Sequence, residues 1–255
     1  MIDRIDELMP DFFKRINERV NINSFNTMNK TDGSPVTDID MHIHDLFFEF
    51  CKEKGFEASI LSEESIDSTD VLDKFPVFII DPIDGTKEFI KGNGEWSVSI
   101  AFLNSEVMGD PLNRGWIYQP HLNNLYHCGE QPPKSIKNNK TKKILVSRTE
   151  YNDGLFDNLK KAENIEIIPM GSIALKLGKL GALECDAVIT FRPKSIWDLA
   201  AGLVISARNH GTFYSESLDK SITHFHTKLT YKSPMLFGNG SNKDFVEDIL
   251  KLLKS

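Results

Sequence analysis

Asp81 and Asp84 stand three positions apart in the segment DPIDGT, immediately after the apolar run PVFII. Pro82 fixes one backbone angle between them and Gly85 permits another, so a turn here can aim both carboxylates, and the carbonyl of Ile83, at one point. Two carboxylates that close repel, and a buried pair without a counter-charge must hold a proton. A bound cation removes the conflict, and oxygen donors with no nearby Cys or His select Mg2+, Mn2+ or Ca2+ over zinc. A second apolar run, EASIL, leads into LSEES with Glu63 and Glu64. The segment WDLAAG places Asp198 at a predicted helix start, beside small Ala200, Ala201 and Gly202, which let a helix backbone approach a neighbour closely. Glu63, Asp81, Asp84 and Asp198 are four acids, which balance two divalent ions. Such a pair of ions can hold a phosphoryl group, activate water near neutral pH and stabilise a leaving oxygen. A lone D-x-x-D is commonly a hydrogen-bonded turn and a lone EE a solvated pair. Only their combination carries the inference.

In chain order, DGSPVTDID, LSEES, DPIDGTKEF and IWDLAAG resemble the signature blocks of the inositol monophosphatase superfamily, the lithium-sensitive, magnesium-dependent phosphomonoesterases. The likeness runs from about Asp32 to Gly211. Lys87 and Glu88, directly after DGT, are similar to the 3′(2′),5′-bisphosphate nucleotidases of that superfamily, where inositol phosphatases usually carry Asn and Phe. The resemblance implies a site with two or three Mg2+ ions: Glu63, Asp81 and the Ile83 carbonyl on the first, and Asp81, Asp84 and Asp198 on the second. It also implies that Asp40 and Thr86 orient the attacking water together with Glu63. A threonine hydroxyl can accept a hydrogen bond from water when it gives its own proton away, and Asp40 is a suitable acceptor. Implied substrate contacts are Gly85, Thr86, Lys87, Ser172, Lys176 and Asp198, with the Gly85 and Thr86 amides receiving phosphate oxygens at a helix start.

The reaction so implied is hydrolysis of adenosine 3′,5′-bisphosphate to AMP and phosphate, in support of sulfate assimilation, by in-line attack of water without a covalent intermediate. Plainer readings stand beside these roles: Ser172 as a helix cap, Lys87 and Lys176 as solvated lysines. Three departures bear on the substrate. Ile173 replaces the serine expected three residues before Lys176, CGEQPPKSI replaces a Gly-x-Gly-Ala hairpin, and KSPMLFGNG carries only part of an Asn-Pro-aromatic pattern. These leave the metal ligands untouched and keep an inositol or sugar phosphate phosphatase as the alternative. The D-x-x-D spacing disfavours a haloacid-dehalogenase phosphatase, which needs D-x-D. A purely structural cation site has no use for Thr86 and Asp40.

These side chains need elements to place them. The 255 residues are 40% apolar, enough for a sizeable core in one large domain or two joined halves. A net charge of −7 argues against nucleic-acid binding through bulk charge. Cys51, Cys128 and Cys185 are odd in number and far apart, which excludes a readable disulfide framework and fits a reducing cytoplasm. The first residues contain no signal-like apolar segment, and nothing approaches the ~18 apolar residues of a membrane span. The expectation is an unprocessed cytoplasmic protein, with peripheral inner-membrane association left open.

Apolar spacing predicts a helix over 2–20 that breaks or kinks at Pro10, a loop over 21–35, and a helix from Thr37 or Asp38 to Gly55. Strands are expected at EASIL and PVFII, then antiparallel strands over 95–128. The polar segment 129–143 is the expected junction. Beyond it come a strand at KILVS, a helix over 151–162, a strand at IEIIPM, a helix over 173–183, a strand at DAVITF, a helix opening at IWDLAAG, and strands at GTFY and PMLFG. His42 with His44, and His224 with His226, form H-x-H pairs lacking a third ligand and read as ordinary histidines. The expected architecture is an α/β (α+β) layered sandwich of the inositol monophosphatase and fructose-1,6-bisphosphatase type. Residues 1–135 would form an N-terminal half carrying most metal ligands, and 136–255 a C-terminal half carrying Asp198 and substrate contacts. The expected partner is a small phosphorylated molecule, a nucleotide by preference, and a homodimer is compatible with the reading.

Overall fold

The computed structural model describes residues 2–20, 24–31, 33–65, 74–128, 140–208, 210–216, 218, 220–225 and 229–254. Asp32, His226 and most of the expected junction, 129–139, lie outside the described residues. The chain begins with α1 (Ile2–Arg19), β1 (Thr27–Asn29), β2 (Pro35–Thr37) and α2 (Asp38–Lys54). Ile5, Met9, Phe12, Phe13 and Ile16 of α1 are buried, whereas Pro10 is exposed. The helix is therefore continuous through Pro10 rather than broken there, because burial of that stripe outweighs the ~3 kcal/mol helix penalty of proline, whose lost hydrogen bond faces water. The stretch 27–37 forms an antiparallel pair in place of part of the expected loop. Its strands are three residues long, with β1 exposed throughout and Val36 and Thr37 of β2 both buried, so they leave no alternating pattern to read.

Next come β3 (Ser59–Ser62), β4 (Val77–Asp84), α3 (Thr86–Ile90), β5 (Ser97–Leu103), β6 (Arg114–Gln119) and β7 (Asn124–His127). They form a five-stranded sheet, β3-β4-β5-β6-β7, antiparallel except for β3 beside β4. The second half contributes β8 (Lys142–Ser147), α4 (Arg148–Asn152), β9 (Ile165–Met170), α5 (Ile173–Gly181), β10 (Ala187–Thr190), β11 (Lys194–Ser195) and α6 (Ile196–Arg208). It closes with β12 (Thr212–Ser215), β13 (Thr230–Tyr231), β14 (Met235–Gly238) and α7 (Lys243–Lys254). Its mixed sheet has the order β12-β14-β10-β8-β9. The helix expected over 151–162 shrinks to α4, since the Asn-Asp-Gly run ends it and Gly154 adopts a positive φ of 78°. The amphipathic α7 is additional to the expected elements.

Alternation along the strands sorts the layers. Phe78, Ile80, Val98, Ile100 and Trp116 face α1 and α2 in one core. Their neighbours Ile79, Ala101 and Ile117 face α5 and α6 in a second core, which Leu145, Val188 and Phe237 of the other sheet close from below. The outer face of that sheet, with Ile144, Val146, Ile189 and Leu236, packs on Phe156 and α7. The result is five layers, helix–sheet–helix–sheet–helix, as a layered α/β sandwich requires. Small residues bring α6 down onto the first sheet: a Cβ added to Gly115 would lie 2.4 Å from the Ala201 carbonyl oxygen. No described helix is long and apolar enough to cross a membrane.

Candidate metal centre

In a regular strand, residues three apart face opposite sides of the sheet. The ladder corrects this at the two aspartates, where Asp81 pairs with Ser99 and Asp84 with Ser97. Three steps on β4 against two on β5 make a bulge, which returns Asp84 to the side of Asp81. The sequence suggested a free turn; instead β4 extends through Asp84, because β5 offers it ladder partners. Gly85 follows with φ 96°, and a Cβ there would sit 3.2 Å from the Glu95 carbonyl oxygen, so both conformation and space call for glycine.

Asp198 arrives on the first turn of α6, where its Oδ2 accepts the Ser195 amide at 2.8 Å, the backbone half of a capping box. Oxygens of Asp81, Asp84 and Asp198 then lie within 4.8 Å of one another. Asp81 and Asp84 are buried and Asp198 is partly exposed. Burial, followed by Glu63, Asp84 and Asp198, pushes the Asp81 carboxyl well above the usual carboxylate range. Asp198 is pushed up to about 7 by burial and then by Asp84, with Lys194 and the Ser195 amide opposing. Asp84 is raised by burial even though Ser172 Oγ and the Ala174 amide each donate to its Oδ2 at 2.5 Å. The buried Oδ1 of Asp81 has no hydrogen-bond partner. Clustered acids with an orphaned buried oxygen, and no Cys or His ligand in the group, fit a hard divalent cation.

Glu63 stands at the end of β3. Its carboxyl interacts with that of Asp81, and burial raises it although Lys30 opposes. Lys30 Nζ lies 2.7 Å from Glu63 Oε1 and 2.8 Å from Glu64 Oε1. Asp40 sits at the third position of α2, where its Oδ2 accepts the Thr37 amide at 2.7 Å and the Thr37 hydroxyl at 2.6 Å. Burial pushes Asp40 up to about 6. Thr86 Oγ1 lies 3.1 Å from the Ile83 carbonyl oxygen and 3.5 Å from Asp40 Oδ1. The expected Thr86–Asp40 pair is thus near hand, while the shorter bond goes to Ile83.

Of the expected substrate contacts, Gly85 and Thr86 stand at the start of α3, and Lys87 is exposed on it. Ser172 caps α5, accepting the Leu175 amide at 2.9 Å while it donates to Asp84. Lys176 is buried, with Nζ on the carbonyls of Met170, Gly171 and Ser172 at 3.2, 3.0 and 2.9 Å. Three donors meet three acceptors there, which directs the ammonium at the turn holding Ser172 rather than outward. His44 donates to or accepts from Ser62 at 2.8 Å and His224 is exposed, in keeping with ordinary histidines. Sequence reasoning missed Lys30 and Lys194. Lys194, four residues before Asp198, was readable by proximity; Lys30 reaches Glu63 only through the fold around the β1–β2 pair.

Carboxylates able to hold a hard cation, gathered from a bulged strand and a helix start beside a hydroxyl near a buried carboxylate, are the make-up of a metal-dependent phosphatase. The chain belongs to the inositol monophosphatase family, whose sequence profile matches residues 7–214. It is 30% identical over 188 residues to the 3′(2′),5′-bisphosphate nucleotidase CysQ of Salmonella typhimurium, spanning 69% of this chain and 74% of that one. It is also 30% identical over 182 residues to a fructose-1,6-bisphosphatase/inositol-1-monophosphatase of Thermotoga maritima, spanning 67% of each. A crystal structure of an IMPase/NADP phosphatase complexed with Mg2+ and phosphate shares the fold with a TM-score of 0.77 at 21% identity, covering 100% of this chain and 96% of that one.

Proposed function

We propose that the chain hydrolyses adenosine 3′,5′-bisphosphate to AMP and phosphate with Mg2+ as its ion, clearing an inhibitory by-product of sulfate assimilation. The observation that carries the chemistry is the convergence of Asp81, Asp84 and Asp198 around an unpartnered Asp81 oxygen. The nucleotide arm rests on the likeness to CysQ and on Lys87 and Glu88 after the DGT turn. Glu63, Asp81 and the Ile83 carbonyl would hold one ion, and Asp81, Asp84 and Asp198 a second. When bound, Mg2+ supplies Lewis-acid polarisation of the phosphate and makes the attacking water more acidic.

The chain's own residues do the positioning. Ser172 and the Ala174 amide fix one oxygen of Asp84, and the Ser195 amide fixes one oxygen of Asp198, so both carboxylates are oriented before anything binds. Thr86 carries a single proton. With that proton given to Asp40 Oδ1 rather than to the Ile83 carbonyl, which would serve as a ligand, the threonine oxygen would accept from water and orient it. Gly85 and Thr86 amides receive phosphate oxygens, and Lys87 lies at the rim for the remainder of the substrate. Lys176 acts on substrate indirectly, by bracing the turn that presents Ser172.

A phosphate-release panel tests this with Mg2+ or chelator present, on adenosine 3′,5′-bisphosphate, inositol 1-phosphate, fructose 1,6-bisphosphate and AMP. The highest kcat/KM should fall on the first, require Mg2+ and be inhibited by millimolar lithium. A clear preference for inositol or fructose phosphate would move the assignment to that branch, whose member in Thermotoga is also 30% identical over the matched residues. Absence of turnover on all four would refute catalysis by this centre.

A further inference from the structure

Ser172, whose hydroxyl fixes Asp84, stands at φ 46° and ψ 113°, a backbone conformation rarely adopted by a residue with a side chain. Such a residue persists only where its surroundings over-determine it. The Ser172 proton goes to Asp84, so Ser97 Oγ donates to Ser172 Oγ, at 3.1 Å. The peptide joining Met170 and Gly171 is gripped at both ends. Its carbonyl oxygen accepts from Lys176 Nζ at 3.2 Å, and its amide donates to Glu95 Oε2 at 2.7 Å. Ammonium on the carbonyl and carboxylate on the amide both suit the peptide dipole, and a charged acceptor makes the stronger kind of hydrogen bond. Lys176 belongs to the same turn, whereas Glu95 comes from the first half of the chain, between α3 and β5. The Glu95 amide donates to Asn93 Oδ1 at 3.0 Å, and Arg148 donates to the same Oε2 that receives Gly171. The Glu95 main chain is wedged between two turns. A Cβ added to Gly85 would lie 3.2 Å from its carbonyl oxygen, and one added to Gly171 would lie 2.9 Å from that oxygen and 2.3 Å from Glu88 Cγ. One residue thus abuts the turn that follows Asp84 and holds the turn that presents Ser172 to Asp84.

We propose that Glu95 is a positioning residue for the carboxylate centre: by accepting the Gly171 amide it holds Ser172 in its strained conformation and so keeps Ser172 Oγ on Asp84 Oδ2. The other oxygen of Asp84 is then aimed at the cation before any cation binds. Glu95 is not one of the converging carboxylates and acts on them only through the turn. The proposal rests on the reading of Asp81, Asp84 and Asp198 as a cation site, and is independent of which phosphomonoester is hydrolysed there.

Two measurements on the full chain test it: Mg2+ binding by calorimetry, and hydrogen exchange of the Gly171 amide followed by NMR in chelator. Glu95→Gln keeps an oxygen at the same reach and removes the charge, while Glu95→Asp keeps the charge and shortens the reach by one carbon–carbon bond. Glu95→Gln should stay within about threefold of the unaltered chain in both measurements, since a neutral acceptor keeps about half of the bond. Glu95→Asp and Glu95→Ala should each weaken Mg2+ binding about tenfold or more and speed Gly171 exchange by a similar factor, the return from one hydrogen bond to a charged group. Arg148→Gln breaks the ion pair but leaves the Gly171 amide its acceptor, and should leave both measurements unchanged. The proposal is overturned if Glu95→Gln loses as much as Glu95→Ala, which would assign the effect to charge. It is overturned equally if Arg148→Gln reproduces the loss, which would assign it to docking of the two halves, or if Gly171 exchanges alike in every variant. Absence of Mg2+ binding to the unaltered chain would instead refute the cation reading, and exchange in chelator would still decide whether Glu95 holds the turn.

Discussion

Asp84 is held in place by its own protein: Ser172 Oγ and the Ala174 amide occupy one of its oxygens, and burial leaves the charged form disfavoured until a cation arrives. Asp84→Asn keeps the shape and removes the charge. Turnover should fall by on the order of a thousandfold or more, as for loss of a transition-state electrostatic group, while the metal-free fold gains stability because a repelling carboxylate is gone. Phosphate release and Tm in chelator check the two halves separately, and near-unchanged activity would refute the role. Ser172→Ala takes one bond from Asp84 and the cap from α5 at once. Mg2+ affinity should weaken about 10–100-fold, as for the loss of a group orienting a ligand, with about 1 kcal/mol of stability lost for the cap. Titration of activity against Mg2+ and thermal unfolding measure these. At this scale the acids were legible, since their spacing and chemistry are local. The ion pair of Lys30 with Glu63 and the ammonium of Lys176 folded back on its own turn were not, because each depends on where distant backbone lies.

The elements that deliver these side chains are a bulge and a close helix. The bulge in β4 puts two aspartates on one side of the sheet. Gly115 lets α6 settle so near β6 that an added Cβ would collide with the Ala201 carbonyl oxygen at 2.4 Å. Gly115→Ala must push α6 away, at a cost of about 1–3 kcal/mol for overpacking, or roughly 2–12 °C in Tm for a chain of this size. Asp198 rides on that helix, so the concentration of Mg2+ giving half-maximal activity should rise as well. Gly109→Ala, where nothing lies within 4 Å of the added atom, is the matched control and should leave both readings unchanged. The sequence disclosed elements whose signals are strong and local. α2 was plain from the apolar spacing that begins near Thr37 and Asp38 and from Gly55 just beyond its end, and the strands of the first sheet from their apolar runs. It misled where tertiary packing overrides a local rule, as at Pro10 in α1, or where a glycine-bearing run outweighs helical spacing, as after α4. The bulge was invisible because it belongs to the pairing of β4 with β5 and not to either strand.

Across the whole molecule, the acid cluster ties stability to pH and to divalent cations. Asp40 is raised to about 6 and Asp198 to about 7, and Glu63, Asp81 and Asp84 are raised as well, all chiefly by burial. A carboxyl whose folded pKa exceeds its unfolded value near 4 binds its proton more tightly when folded. Its contribution is therefore fully present below pH 4 and is lost as pH climbs through 6 and 7. Glu53, lowered to about 2 by Arg15, changes below that window. Lys176, lowered to about 8 by burial, changes above it, between about 8 and its unfolded value near 10.5. In chelator, then, unfolding free energy should decline from pH 4 to pH 7. Mg2+ held as proposed would reverse the sign of the problem, because a divalent cation binds deprotonated carboxylates. At a hundredfold excess over its dissociation constant it should add about 2.7 kcal/mol, some 5–10 °C in Tm, and the increment should grow from pH 5 to pH 8. Asp84→Asn should flatten both dependences, which separates the cluster from every other titrating group in the chain. A metal-free protein equally stable at pH 4 and pH 7, with no added stability from Mg2+ at pH 8, would contradict a cation-balanced acid cluster at the heart of the fold.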